Sequence, residues 1–202
     1  MKKLLAVLLA MTLLCGCADE VAVTTVETTT PDVEASEDAD TSADTEPLGP
    51  FQFFTVEDIE GNEVTHEVFA DADLTVINIW GTFCGPCIQE MPDLGALSQE
   101  YAEKNVQFIG LVGDAFDSQG NIDAAIVEEA KSIVAQTGAD YLHLLPMNEL
   151  LYNVMSQISA YPTTVFVDSE GKQVDYAYLG AADKATWAER IDAALELVKA
   201  DE

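Results

Sequence analysis

The chain is predicted to fold as an α/β domain. A mixed central β-sheet is flanked by helices on both faces, with an N-terminal β-hairpin and an inserted helix. Three observations predict this. Leu74–Trp80 and Val106–Val112 are apolar, β-branched runs of the kind that fill central buried strands. Segments with apolar residues at helical spacing alternate with strand-like runs, the pattern of a sheet covered by crossing helices. The chain then closes on two strand-like segments joined by a short turn and followed by a helix, which adds antiparallel pairing to the parallel core.

Length and composition bound the function. The 202 residues, 49% of them hydrophobic, suffice for one domain with extensions. The formal net charge is −29, from 37 acidic against 8 basic residues. Such a surface has nothing to neutralise phosphates, which excludes nucleic acid as a partner. It also argues against docking on anionic headgroups by charge.

Taken in order, Met1-Lys2-Lys3 is a short basic region and Leu4 to Leu14 is an apolar run. The run falls short of the roughly 20 residues that a spanning helix needs and has the form of a secretory signal. It ends in Leu14-Cys15-Gly16-Cys17, which resembles the lipobox of bacterial lipoproteins, where a small residue precedes the cysteine that becomes lipidated. Gly16 is small, so Cys17 is the expected lipidation site and residues 1–16 the signal peptide. The alternatives are an ordinary cleaved signal or a transmembrane anchor. Acyl chains contribute about 0.8 kcal/mol per buried CH₂ and would hold the protein on a membrane. Between Ala18 and Leu48 stand ten Asp or Glu and no Lys or Arg. This Thr-, Glu- and Asp-rich stretch cannot bury enough apolar surface to offset its ordering entropy. Residues 17–48 are therefore expected to be a lipidated cysteine plus a self-repelling tether, with the folded domain at 49–202.

Within the domain, Phe51 to Val56 reads as a strand, and Glu60-Gly61-Asn62 as a turn into a second short strand around Val64. Leu74 to Trp80 is the first central strand. After Cys84, apolar residues Ile88, Met91, Leu94, Leu97 and Tyr101 recur at helical spacing, so a helix runs to about Glu103, with Pro92 inside it. Val106 to Val112 is the next strand. Ile122, Ile126, Ala130, Ile133 and Val134 mark an amphipathic helix in an inserted segment, about residues 114–140, ending near Gly138. Tyr141–Leu145 reads as a strand and Asn148–Ser156 as a short helix. Thr163–Val167 and Gln173–Leu179 are strands on either side of an Asp168-Ser169-Glu170-Gly171 turn. Asp183 can cap a last helix whose core face is Trp187, Ile191, Leu195 and Val198.

The chemistry lies in Trp80-Gly81-Thr82-Phe83-Cys84-Gly85-Pro86-Cys87. A strand delivers Cys84 to the start of a helix. Two cysteines at positions i and i+3 can close a disulfide with little backbone change. At the open end of the helix, the Cys84 thiolate meets unpaired N–H groups and the positive end of the dipole, both of which lower its pKa. Cys87, one turn inside, suits a resolving thiol. A half zinc site would need two further ligands; besides Cys15 and Cys17, only His66 and His143 remain, far apart in sequence, and both read as ordinary residues. No cofactor is needed beyond the Cys84–Cys87 disulfide itself.

Trp80-x-x-x-Cys84-Gly85-Pro86-Cys87, followed by Tyr161-Pro162-Thr163, resembles the thioredoxin pattern. Within that superfamily the chain is most similar to the TlpA/ResA branch of extracytoplasmic thiol–disulfide oxidoreductases. Glu90-Met91-Pro92 matches the branch's Cys-x-x-Glu-x-Pro pattern, and Asn78 stands where cytoplasmic thioredoxins carry a buried Asp. The resemblance covers about residues 51–200 and implies a thioredoxin-like fold with a cis Tyr161–Pro162 bond. It implies Cys84, Cys87, Glu90 and Pro162 as catalytic residues, with Glu90 tuning cysteine proton chemistry. Trp80, Gly85, Pro86, Tyr161 and Thr163 become the expected substrate-binding set. Its partners would be protein disulfides and a membrane electron donor of the CcdA/DsbD type, and the protein would act as a monomer. The Gly-Pro dipeptide between the cysteines is that of reducing thioredoxins and leans toward a reductase. A disulfide-forming oxidase on the same fold is the alternative, and a metal-binding or chaperone lipoprotein is a more distant one.

Overall fold

The structure is a computed structural model that describes residues 49–117 and 119–201. The expected signal peptide, Cys15, the expected lipidation site Cys17 and the expected tether lie outside the described residues. Strands β1 (Thr55–Asp58), β2 (Glu63–Thr65), β3 (Leu74–Trp80), β4 (Val106–Val112), β5 (Leu142–Leu145), β6 (Thr163–Asp168) and β7 (Tyr178–Leu179) form one sheet. Their order is β2-β1-β5-β4-β3-β6-β7. β3 pairs in parallel with β4 and β4 with β5, while β6 lies antiparallel to β3. The N-terminal hairpin attaches to the β5 edge through antiparallel pairs such as Glu57 with Leu145.

Among the described residues, four α-helices cover this sheet: α1 (Gly85–Tyr101), α2 (Ala124–Thr137), α3 (Asn148–Asn153) and α4 (Lys184–Asp201). The two faces divide by strand alternation. Val76 and Trp80 of β3, with Phe108 and Val112 of β4, pack among side chains of α1, α2 and α4. Ile77, Ile79, Ile109 and Leu111 point the other way, onto Phe51, Phe54, Phe69, Leu150 and Val154. Every residue of β3 is buried, which explains why its sequence shows no polar alternation.

Two strand boundaries and one unread element stand out against the sequence reading. The first strand starts at Thr55, not Phe51, because Phe51 and Phe54 are core side chains of an irregular segment. A 3₁₀ helix, His66–Asp71, follows β2 and drops Phe69 into that core. The last strand is only Tyr178–Leu179; of the Gln173 end, an isolated bridge to Val167 remains. The inserted helix fits its reading closely. Asp123 caps its start through Ala125 N–H at 2.9 Å, and Gly138 ends it at φ +70°, a conformation that favours glycine.

Candidate active site

β3 ends at Trp80, and a tight turn (Cys84 N–H to Gly81 C=O, 3.0 Å) swings the chain into α1. Cys84 is the N-cap of that helix, and its sulfur accepts from the Cys87 N–H at 3.3 Å. Pro86 sits in the first turn, where the helix has no use for the missing N–H. The two cysteines are joined in a disulfide with Cα atoms 5.3 Å apart. Cys87 is fully buried and Cys84 retains 6% exposure. The accessible edge of the pair therefore belongs to Cys84.

Around the disulfide, Gly85 and Pro86 are exposed and Tyr161 is half-buried. The Tyr161–Pro162 bond is cis. Phe83 is 70% exposed and its ring stands edge-on to Tyr161 at 5.6 Å. This aromatic pair flanks the cysteines, and the sequence reading did not single out Phe83. An aromatic immediately before the first cysteine was the available signal. Burial, and to a lesser degree the Asp114 charge, push the Tyr161 phenol above its ordinary value.

Two expected substrate-binding residues do not face solvent, and their roles change accordingly. Trp80 is fully buried, and its indole N–H donates to His143 Nδ1 at 3.2 Å. It supports the site from behind. Thr163 is 2% exposed; it pairs with Ile79 on one side and Leu179 on the other, and its hydroxyl donates to Ala160 C=O at 2.8 Å. It anchors the start of β6, directly after Pro162.

His143 is more than filler. With Nδ1 accepting from Trp80, Nε2 must carry the proton that it donates to Ala139 C=O at 3.0 Å. Burial lowers its pKa to about 4, so the ring is neutral at pH 7. Gly110 leaves room for it, since a Cβ there would lie 2.7 Å from His143 Cε1 and 3.0 Å from Trp80 Nε1. The active-site turn has a second brace. Thr82 donates its N–H to both Asp114 carboxylate oxygens, at 3.1 and 3.0 Å, and its hydroxyl to Oδ2 at 2.7 Å. The pairs Trp80–His143 and Thr82–Asp114 were invisible in the sequence because they join residues 63 and 32 positions apart.

Glu90 lies on α1 one turn beyond Cys87 and is 3% exposed. Its Oε2 accepts from Ala182 N–H at 3.1 Å and Trp187 Nε1–H at 3.0 Å, and its Oε1 accepts from Asn78 Nδ2 at 3.0 Å. Burial raises its pKa, against the pull of these donors and of the Arg190 charge. A surface position for this carboxylate is thereby excluded. Trp187, read from sequence as a core residue, is fully buried and is also one of its donors. Among the described residues, no cluster of His, Cys, Asp and Glu is arranged to hold a metal ion, and no helix is long and apolar enough to cross a membrane.

Comparison with known proteins agrees with this geometry. The profile of the Redoxin family matches residues 49–195. Thiol-disulfide oxidoreductase ResA of Bacillus anthracis is 29% identical over 122 residues, covering 60% of this chain and 64% of that protein. Thioredoxin-like protein YneN of Bacillus subtilis is 30% identical over 126 residues, 58% of this chain and 62% of that one. The chain thus spans less than two thirds of the length of these curated relatives. Among solved structures, MTB DsbF superposes with a TM-score of 0.58 at 17% identity, over 73% of this chain and 99% of that one. A thioredoxin family protein from Chlorobium tepidum TLS gives 0.57 at 20%, over 71% and 93%. Both have the same thioredoxin-like fold.

Proposed function

Because the chain belongs to the Redoxin family, on a thioredoxin-like fold with a Cys-x-x-Cys disulfide at a helix mouth, we propose that it is a thiol–disulfide oxidoreductase that reduces protein disulfides. The observation that carries the reading is the asymmetry of the pair: Cys84 caps the helix and keeps a small accessible edge, and Cys87 is sealed beneath it.

The reduced enzyme acts in two exchanges. Cys84 thiolate attacks one sulfur of a client disulfide; that S–S bond breaks, and the client's second sulfur leaves as a thiolate. Cys87, deprotonated, then attacks Cys84 and expels the first client sulfur. The client gains two electrons and two protons, and the enzyme is left as the Cys84–Cys87 disulfide, the state seen here. Glu90, at i+3 from Cys87 on the same helix face, takes the Cys87 proton and returns it on re-reduction. A buried carboxylic acid with a raised pKa suits that exchange. The exposed Phe83 ring and the half-buried Tyr161 ring, with Gly85 and Pro86, form the surface that meets the client.

The setting is read from the sequence. Lipidation at Cys17 would hold the domain outside the cytoplasm on an acidic tether, and a membrane dithiol donor of the CcdA/DsbD type would restore the thiols. Redox support of cytochrome c maturation, of a methionine sulfoxide reductase or of misoxidised surface proteins fits equally. A Cys87→Ala variant should accumulate mixed disulfides with clients at Cys84, and Cys84→Ala should accumulate none. Equal trapping by both variants would end the assignment. Trapping the resident redox state decides direction: mostly dithiol supports a reductase, mostly disulfide an oxidase. Absence of an acyl adduct at Cys17 in membrane-purified protein would remove the anchor.

A further inference from the structure

The donors around Glu90 are not equivalent, and the difference says where its proton goes. Oε2 faces the Ala182 N–H and the Trp187 indole N–H. Neither group has a lone pair to offer, so a proton on Oε2 would point at two hydrogens. Among the described residues, the hydrogen-bond partner of Oε1 is the Asn78 amide alone. That amide also donates to Thr164 Oγ at 3.0 Å, so both Nδ2 hydrogens are engaged. On its other side, Asn78 Oδ1 is buried and has no hydrogen-bond partner among the described residues. Buried carbonyls of this kind are rare and call for a reason.

We infer that Asn78 is the positioning residue for the Glu90 proton: neutral Glu90 carries its hydrogen on Oε1, and the Asn78 amide turns over to accept it. The two amide orientations occupy the same space, so the hydrogen-bond network alone selects between them. Turned over, Oδ1 accepts from the Glu90 O–H and from the Thr164 hydroxyl, which rotates from acceptor to donor. No hydrogen bond holds Oδ1 in its present place, so turning breaks none on that side. The unpartnered carbonyl is the mark of a group that must serve two states. An Asp here could not donate to ionised Glu90, and an aliphatic residue could serve neither form. This deepens the proton-handling role proposed for Glu90 and rests on that role for its use in catalysis.

The remaining ionisable neighbours are few. Arg190 of α4 acts on Glu90 through its charge, and its guanidinium lies over the Trp187 and Tyr178 rings at 4.6 and 4.4 Å. Tyr141, before β5, is raised by burial and by Glu90 itself. Cys87 lies one turn back on α1, and it is bonded in the oxidised form. From β3 and β6, the groups are the neutral Asn78 and Thr164.

The test is NMR of the oxidised full chain, following the Glu90 carboxyl carbon and the Asn78 side-chain NH₂ together from pH 4 to pH 9. Both should move with one midpoint. An Asn78 signal that stays flat while Glu90 titrates overturns the proposal, as does a Glu90 that does not titrate in that range. In Asn78→Leu both protonation states lose one hydrogen bond, so the Glu90 midpoint should rise by less than about one pH unit. A larger rise would mean a fixed donor that serves only the anion, and would also overturn it. Failure of the catalytic role is separate: it shows as a thiol pH profile unchanged by Glu90→Gln, and it leaves the Asn78 titration intact.

Discussion

Acid should weaken the domain through His143. The imidazole accepts from Trp80 and donates to Ala139, which fixes it as neutral, and burial moves its pKa from 6.5 to about 4. A folded-state value below the unfolded one means that the folded chain binds fewer protons between the two. The stability this confers is complete above about pH 6.5 and is lost as pH falls toward about 4. At about 1.4 kcal/mol per pH unit, that span amounts to about 3 kcal/mol, a large share of the 5–15 kcal/mol roughly typical of a domain. The comparison to make is wild type against His143→Gln, whose amide can donate and accept but does not titrate. Urea denaturation of both, across pH 7 to pH 4.5, gives the difference in unfolding free energy at each pH. Wild type should lose stability toward acid faster than the variant, so the difference curve slopes. Parallel curves would refute the reasoning, because the other titrating groups are common to both proteins. Trp80 fluorescence gives a second readout: protonated His143 can no longer accept its N–H, and Trp187 is the only other tryptophan.

Other outcomes follow from the same geometry. Gly110→Ala should cost about 1–3 kcal/mol, since a methyl there collides with His143 and Trp80; a melting temperature equal to wild type would contradict that packing. Asp114→Ala removes the acceptor of two Thr82 donors and should destabilise by about 1–3 kcal/mol, with a changed alkylation rate at Cys84; an unaltered rate would mean that the brace does not reach the site. Glu90→Gln should flatten the pH dependence of client reduction, whereas a profile superimposable on wild type removes Glu90 from the chemistry. Phe83→Ser should raise KM for a protein disulfide more than it lowers kcat, and an unchanged KM would show that clients do not touch the ring.

Much of this was legible in the sequence because it is local. The helical spacing of Ile88, Met91, Leu94, Leu97 and Tyr101 placed α1, and unbroken β-branched runs placed β3 and β4. Gly138 and Asp183 marked helix ends where the structure has them: Thr186 N–H donates to Asp183 at 2.9 Å. What escaped was set by topology. Glu90 meets Trp187 across 97 residues, and Asn78 meets Thr164 across 86, because β6 and α4 return beside β3 and α1. No periodicity encodes such pairs. The available hints were polar residues inside apolar runs: Asn78 in β3, His143 in β5 and Thr164 in β6. Trp80 was misjudged for a related reason. A tryptophan beside reactive cysteines suggests a contact surface, but strand alternation turns it under α1.

The proposed function requires a reversible bridge between Cys84 and Cys87. Its most direct test is equilibration of the protein in glutathione buffers of graded potential, with the two sulfurs counted by alkylation and mass. A single two-electron transition with a midpoint nearer about −270 mV than about −120 mV is the expected result, the range between a reducing thioredoxin and a strong oxidant. A midpoint at the oxidising end would contradict the reductase, and two thiols that never close reversibly would contradict the enzyme altogether.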